Sequence, residues 1–373
     1  MMRVCYVFPV SHHYRRPFHE RLRILLAEHD IEYDVFYCEP KSDNLLKRDT
    51  VDIPWGRKVA LSRLPGGIEY QHAFLAVQHY DLIIMQQENK LALNYVLMFF
   101  SLFSRYRLAY FGHGRNFQSR NPHGLGERLK RIMATKVHWW FAYTDETRRH
   151  IKSLGFSASR ISVFNNSVDT SELRDQAAAV TPGRLSELRA ELCLAGNHVG
   201  IFVGGIYADK RMPFLVEAAD HIRTLIPDFE IIVVGGGPDL PVIENLAKTR
   251  PWIRVTGPRF GTEKVELMML GRVFLMPGLV GLAILDAGIA GLPIVTTAFP
   301  WHSPEIAYLQ SGHNGLMVGD WENPVAFGDA VSGLLANPAL RIMGEASRDT
   351  ADKLSIENMA ESFAKGVLAA LAA

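Results

Sequence analysis

The stretch MPGLVGLAILDAGIAGLPIVTT, Met276–Thr297, decides the fold. An apolar strand ends at Met276, and a loop with Pro277, Gly278 and Gly281 opens a helix from about Leu282. Gly291 to Pro293 then stops the helix, and Ile294–Thr297 is the next strand. Strand, loop, helix, turn and strand make a βαβ unit, which builds parallel sheets covered by helices. The backbone N–H groups of Val280, Gly281 and Leu282 lie where that helix opens, a setting that can hold a diphosphate. Asp286 falls one turn into the helix among apolar neighbours. It either accepts from a ribose diol or serves as a carboxylate for the helix dipole.

The same alternation extends in both directions. Arg3–Val10, Tyr33–Tyr37, Asp81–Met85, Leu108–Phe111, Val137–Tyr143 and Ile161–Phe164 read as buried strands. Pro17–His29 between them has helical spacing of Phe18, Leu22, Leu25 and Leu26. The pattern restarts with Gly200–Gly204, Glu230–Val234, Trp252–Thr256, Val273–Met276 and Pro293–Thr297, with helices at Pro213–Leu225 and Leu240–Lys248. Asp175–Arg184, small and polar around Pro182-Gly183, reads as the linker. The expectation is an α/β protein of two Rossmann-like doubly wound domains, residues 1–180 and 181–355, facing across a cleft. A last helix at 356–373 could pack on either domain.

A chain of 373 residues is long enough for two cores. Forty Lys and Arg against thirty-nine Asp and Glu leave a net charge of +1, which argues against a nucleic-acid partner. The three cysteines, Cys5, Cys38 and Cys193, are too scattered for a disulfide framework or a zinc cage. The first residues, MMRVCYVFPV, read as a strand rather than a secretory signal. Leu91–Phe103 is short of the ~20 apolar residues that cross a bilayer. The expected location is cytoplasmic. The small net charge hides a division: residues 1–180 carry a net of +7 and residues 181–373 a net of −6.

Further along the C-terminal half, VGGIYADKRMPFLVEA (Val203–Ala218) ends a strand, turns at Gly204 and Gly205, and sets Lys210 and Arg211 before a helix with Pro213 in its first turn. Two cations at a helix N-terminus suit a phosphate; a solvated pair on an ordinary loop is the plainer alternative. Ile231–Pro238, IIVVGGGP, is a glycine turn without dinucleotide spacing. Trp301–Val318 supplies His302, Glu305 and an Asn314-Gly315 turn.

Taken in order, VGGxxxxK, GGGP, PGxxGLxxLDAxxxGxPIVTT and HxPEIxxLxxGxNGLxV resemble the C-terminal domain of retaining glycosyltransferases of family 4, which have the GT-B fold. YFGHG, ending a strand at Gly114, and VFNNSVDT (Val163–Thr170) are similar to N-terminal segments of that family. The resemblance covers roughly residues 100–320. It implies a nucleotide-sugar donor of UDP or GDP type on the C-terminal domain, an acceptor on the N-terminal domain, and hexosyl transfer with retention. It also implies roles. Lys210 would meet the donor diphosphate, Asp286 the nucleotide ribose and His113 the donor sugar, while Pro258 and Arg259 would flank the base. Two positions depart from the family: Gly278 stands for a sugar-binding glutamate and Gly205 for an arginine. Arg211 or Arg259 could supply the missing charge, and His302 or Glu305 could reach the sugar. No Asp-rich metal motif appears in a plausible loop, so no metal or other cofactor is expected; the nucleotide-sugar is a substrate.

The basic half suggests the acceptor. Arg105–Lys136 holds eight Lys or Arg and a single acid, Glu127. Leu125, Leu129, Ile132 and Met133 form an apolar stripe beside Arg128, Lys130 and Arg131. Such a helix either lies on an anionic membrane at its inner face or packs on the sheet with solvated charges. Leu91–Phe103 is a buried helix or a lipid contact. A glycan, lipid-linked or small-molecule acceptor follows, with Arg15, Arg16 and Arg115 as candidate contacts. The competing readings are a catalytically impaired nucleotide-sugar-binding subunit and a sugar-nucleotide epimerase on the same fold.

Overall fold

The computed structural model describes residues 1–39, 50–114 and 124–373. The chain divides into two compact units, Met1–Asp169 with Ser355–Ala373, and Thr170–Leu354. In chain order the strands of the first unit are β1 (Met2–Val10), β2 (Ile31–Cys38), β3 (Arg57–Val59), β4 (Leu61–Leu64), β5 (Ile68–Gln71), β6 (Leu82–Gln86), β7 (Arg107–Gly112), β8 (Trp139–Ala142) and β9 (Ile161–Val163). Seven pair in the order β3-β2-β1-β6-β7-β8-β9, with parallel neighbours throughout. The chain reverses its direction across the sheet between β1 and β6. In open α/β sheets that point, at the carboxyl ends of the strands, is where ligands bind. β4 and β5 form a separate antiparallel hairpin around Pro65-Gly66-Gly67.

Strand period explains the two cores. Val4, Tyr6 and Phe8 face one layer, with Phe18, Leu22 and Leu26 of the helix Arg16–Ala27. Cys5 and Val7 face the other, with Leu93 and Leu97 of the helix Ala92–Ser101 and Ile151 of the helix Asp145–Ser153. Cys5 and Cys38 are buried and Cys193 is exposed, all as free thiols.

The final helix, Ile356–Ala372, belongs to this first unit. Ser355 caps it, its hydroxyl accepting from the Asn358 N–H at 3.2 Å. Phe363 stacks on Phe141 with ring centroids 4.0 Å apart and meets Phe18 and Phe164 edge-on. Arg107 donates to the carbonyls of Ala370 and Leu371, satisfying the helix's last turn.

The second unit holds β10 (His198–Val203), β11 (Phe229–Val234), β12 (Ile253–Gly257), β13 (Val273–Leu275), β14 (Ile294–Thr297) and β15 (Gly315–Val318). They pair in parallel in the order β12-β11-β10-β13-β14-β15, so the reversal falls between β10 and β13. The expected linker at 175–184 is mostly helical instead. Ser171–Ala179 and Pro182–Glu191 are helices that both pack on the helix Gly261–Met269 of this unit. Alanines that read as a linker by composition are also the best helix formers. The division therefore falls at Thr170 rather than after residue 180.

Candidate active site

In the second unit, the loops following β10 and β13 meet at the reversal point and lock together through named bonds. The Leu279 N–H donates to the Asp209 carbonyl at 2.9 Å, and the Lys210 ammonium returns a hydrogen bond to the Leu279 carbonyl. Lys210 is buried, with the Met276 sulfur 3.6 Å from Nζ, and that burial pulls its pKa from 10.5 down to about 8. Arg211 follows in a left-handed conformation, φ 59° and ψ 50°. Its guanidinium turns into an aromatic group, 4.0 Å from the Phe214 ring centre and 5.0 Å from Trp321, and donates to the Trp321 carbonyl at 2.5 Å. Its charge serves to tie the segment around Trp321 to these loops.

Gly278 explains one departure from the family pattern. A Cβ at that position would lie 1.9 Å from the Asp209 carbonyl oxygen, so the backbones of the two loops occupy the space a side chain would need. At Gly205 the ring of Tyr207 covers the position, 3.1 Å from where a Cβ would be. Both missing side chains are replaced by close packing of the loops themselves.

His302 is buried with both ring nitrogens engaged. Nδ1 accepts from the Val280 N–H at 3.0 Å, which leaves Nε2 as the donor to the Thr297 carbonyl at 2.8 Å. Burial lowers its pKa, keeping it neutral in this role. Sequence reasoning offers Val280 N–H to a diphosphate and His302 to the sugar; the structure joins the two to each other, because the imidazole fills the turn the loop makes before the helix Ala283–Ile289. The N–H groups of Gly281 and Leu282 donate to no acceptor among the described residues. Asp286, on that helix, pairs with Lys264 at 3.0 Å, a partner the sequence pattern does not single out. Glu305 is buried in the short turn Pro304–Tyr308. Pro258 and Arg259 are exposed after β12, with Arg259 3.6 Å from Glu263. Gly204 leaves β10 with its N–H on the Val234 carbonyl at 3.0 Å.

In the first unit the carboxyl ends of β1, β6 and β7 enclose a cavity of about 310 Å³. Arg15 and His113, expected on separate grounds, both line it. The Arg15 guanidinium donates to the Tyr143 hydroxyl at 3.2 Å and lies 5.7 Å from the centre of the Phe111 ring. The His113 ring meets Tyr143 edge-on at 4.0 Å. Burial, then the positive charges of Lys130 and Arg15, hold its pKa down to about 3, so the imidazole is neutral near pH 7. His12 and Tyr14, beside Arg15 in the segment after β1, also line it, as do Gln86, Lys90 and His19, which the sequence pattern does not single out; His19 is hydrogen-bonded to Tyr33 at 2.8 Å. His12, Tyr14 and His19 lie in the segment and helix after β1, while Gln86 and Lys90 lie at and after the end of β6, so no single local spacing announces the set. Arg16 does not line the cavity and pairs with Glu20 at 2.6 Å; Arg115 lies outside the described residues. Among the described residues no three His, Cys, Asp or Glu side chains converge as a metal ligand set.

Residues 197–337 match the family model described as glycosyl transferases group 1. Among curated proteins, the α-D-kanosaminyltransferase of Streptomyces kanamyceticus is 27% identical over 170 residues, 44% of this chain and 43% of that protein. The chain thus aligns with less than half the length of this relative. HepE of Anabaena, solved in complex with UDP, has a TM-score of 0.69 at 16% identity, covering 99% of this chain and 100% of that one. Sucrose-phosphate synthase of Thermosynechococcus elongatus has a TM-score of 0.68 at 16% identity, covering 98% of each chain. Two parallel-sheet units and these likenesses give the chain the GT-B glycosyltransferase fold, with a group 1 glycosyl transferase match lying wholly inside its second unit.

Proposed function

We propose that this protein is a retaining glycosyltransferase that moves a hexosyl group from a UDP- or GDP-sugar to an acceptor hydroxyl without a metal. The observation that carries the reading is the buried Lys210 ammonium in the loop after β10, inside the segment that matches the group 1 glycosyl transferases. HepE is solved with UDP and with UDP-glucose, which supports a uridine donor as the first candidate.

In the proposed step the bond from the anomeric carbon to the diphosphate oxygen breaks, and the acceptor oxygen bonds to the same face of that carbon. The acceptor proton passes to the departing diphosphate. Negative charge grows on the leaving group, and preplaced donors stabilise it most effectively. Lys210 and the N–H groups of Gly281 and Leu282 take that role, Asp286 holds the ribose, and His113 and Arg15 serve the sugar and the acceptor. The acceptor is a glycan, a lipid-linked sugar or a small molecule with a free hydroxyl.

Turnover of UDP-, GDP-, ADP- and dTDP-sugars is the test, with the anomeric configuration of the product read by NMR. Lys210→Ala should lower kcat by roughly 100- to 1,000-fold, the range for removing one such donor. Asp286→Asn should chiefly raise the donor KM, and a chelator should leave the rate unchanged. Wild-type rates in both variants would sink the assignment.

A further inference from the structure

The outer surface of the first unit carries an apolar cluster that the proposed reaction does not use. At the end of the helix Ala92–Ser101, Phe99, Phe100, Leu102 and Phe103 are 59%, 41%, 75% and 78% exposed. The Phe99 ring lies 5.3 Å from Phe100 and 5.9 Å from Phe103, so the three rings pack on one another on the surface. Phe74 joins Phe100 at 4.8 Å, and its neighbour Leu75 is also exposed. Singly exposed apolar residues need no explanation; a contiguous aromatic group does.

The neighbouring helix, Leu125–Ala134, continues the surface. It follows β7 as Ala92–Ser101 precedes it, and Ala134 lies in the same core layer as Leu93 and Leu97, so both helices cover one face of the sheet. The Asn89 side chain, in the loop before the helix Ala92–Ser101, donates to the Gly126 carbonyl at 2.6 Å in the first turn of Leu125–Ala134. Leu129 and Ile132 are exposed, as are Arg128 and Arg131 beside them. Arg105 and Lys136 are exposed just beyond the ends of the two helices. The side chain of Leu125 lies outside the described residues.

We infer that this face, formed by Phe99, Phe100, Leu102, Phe103, Leu129 and Ile132 with Arg105, Arg128, Arg131 and Lys136, docks the protein on an anionic lipid surface. Aromatic rings enter the acyl boundary while cations meet the headgroups, the division of labour of interfacial helices. Charge favours lipid over a second copy. A two-fold pairing of this face would bring its cations against their own counterparts, whereas an anionic leaflet neutralises them. No helix among the described residues is long and apolar enough to cross a membrane, so the contact is peripheral.

Flotation of the full chain with vesicles tests this, comparing pure phosphatidylcholine with phosphatidylcholine carrying about one-third phosphatidylglycerol. Binding to the anionic vesicles is expected, with loss in about 1 M salt, where the Debye length is about 3 Å. Phe99→Ser with Phe103→Ser should weaken binding at least tenfold. Arg128→Ala with Lys136→Ala should weaken it roughly 10- to 30-fold at low salt. Thermal melts of both variants should match wild type, since all four side chains are exposed. Equal binding to both vesicle types, no binding to either, or full binding by the Phe variant would overturn the inference. So would a dimer in sedimentation that the Phe variant dissociates while vesicles are ignored.

Discussion

At Lys210, burial and function pull on the same proton. Its pKa sits near 8, below the usual 10.5, because desolvation penalises the ammonium. The group is charged below that value and neutral above it, so kcat/KM for the donor should be high near pH 7 and fall as pH rises through about 8. Lys210→Arg should move that limb upward, because a guanidinium stays protonated; an unmoved limb would assign the titration to another group. Gly278 makes a second residue-scale prediction. Gly278→Ala sets a Cβ against the Asp209 carbonyl and must part the two loops, costing about 1–3 kcal/mol, the range for overpacking. Urea unfolding measures it, and an unchanged midpoint would mean the loops part freely. The positions of Lys210, in the loop after β10, and Asp286, in the helix after β13, were legible in the sequence because each lies in the first segment that follows its strand. The role of His302 was not, since the Val280 N–H that engages it is 22 positions earlier and only the folded turn brings them together.

Secondary elements were legible in proportion to their burial. β1, β2, β6, β10 and β11 are covered on both faces and appear as largely apolar runs. β3 and the β4–β5 hairpin escaped because their only buried residues, Glu69 and Gln71, are polar, leaving no apolar run. The last helix was recognisable as an element, but its 3.6-residue pattern says nothing about which sheet receives it. Phe363 answers that through Phe141, Phe18 and Phe164. Phe363→Ala should therefore destabilise the first unit by about 3–5 kcal/mol, as for other buried aromatics. Unfolding followed separately at Trp139 and Trp140 in the first unit and at Trp252 in the second would resolve it. A shift confined to the Trp252 signal would refute the assignment.

On the scale of the whole molecule, one unit is continuous in sequence and the other is not. Residues 170–354 expressed alone should fold and bind a nucleotide, whereas residues 1–169 alone should aggregate, since the aromatic face under Phe363 would be open. Size-exclusion chromatography and nucleotide titration decide both, and a soluble, cooperatively melting 1–169 fragment would contradict the second. The net charge of +1 concealed this architecture as it concealed the charge division. The position of the closing helix also has a consequence in time. Synthesis runs from the N-terminus, so the ribosome must complete all of Thr170–Leu354 before Ile356–Ala372 emerges. At about 5–20 residues per second that delay is on the order of ten to forty seconds. For that interval the nascent first domain lacks one wall, and Phe18, Phe141 and Phe164 offer a nascent-chain chaperone something to hold.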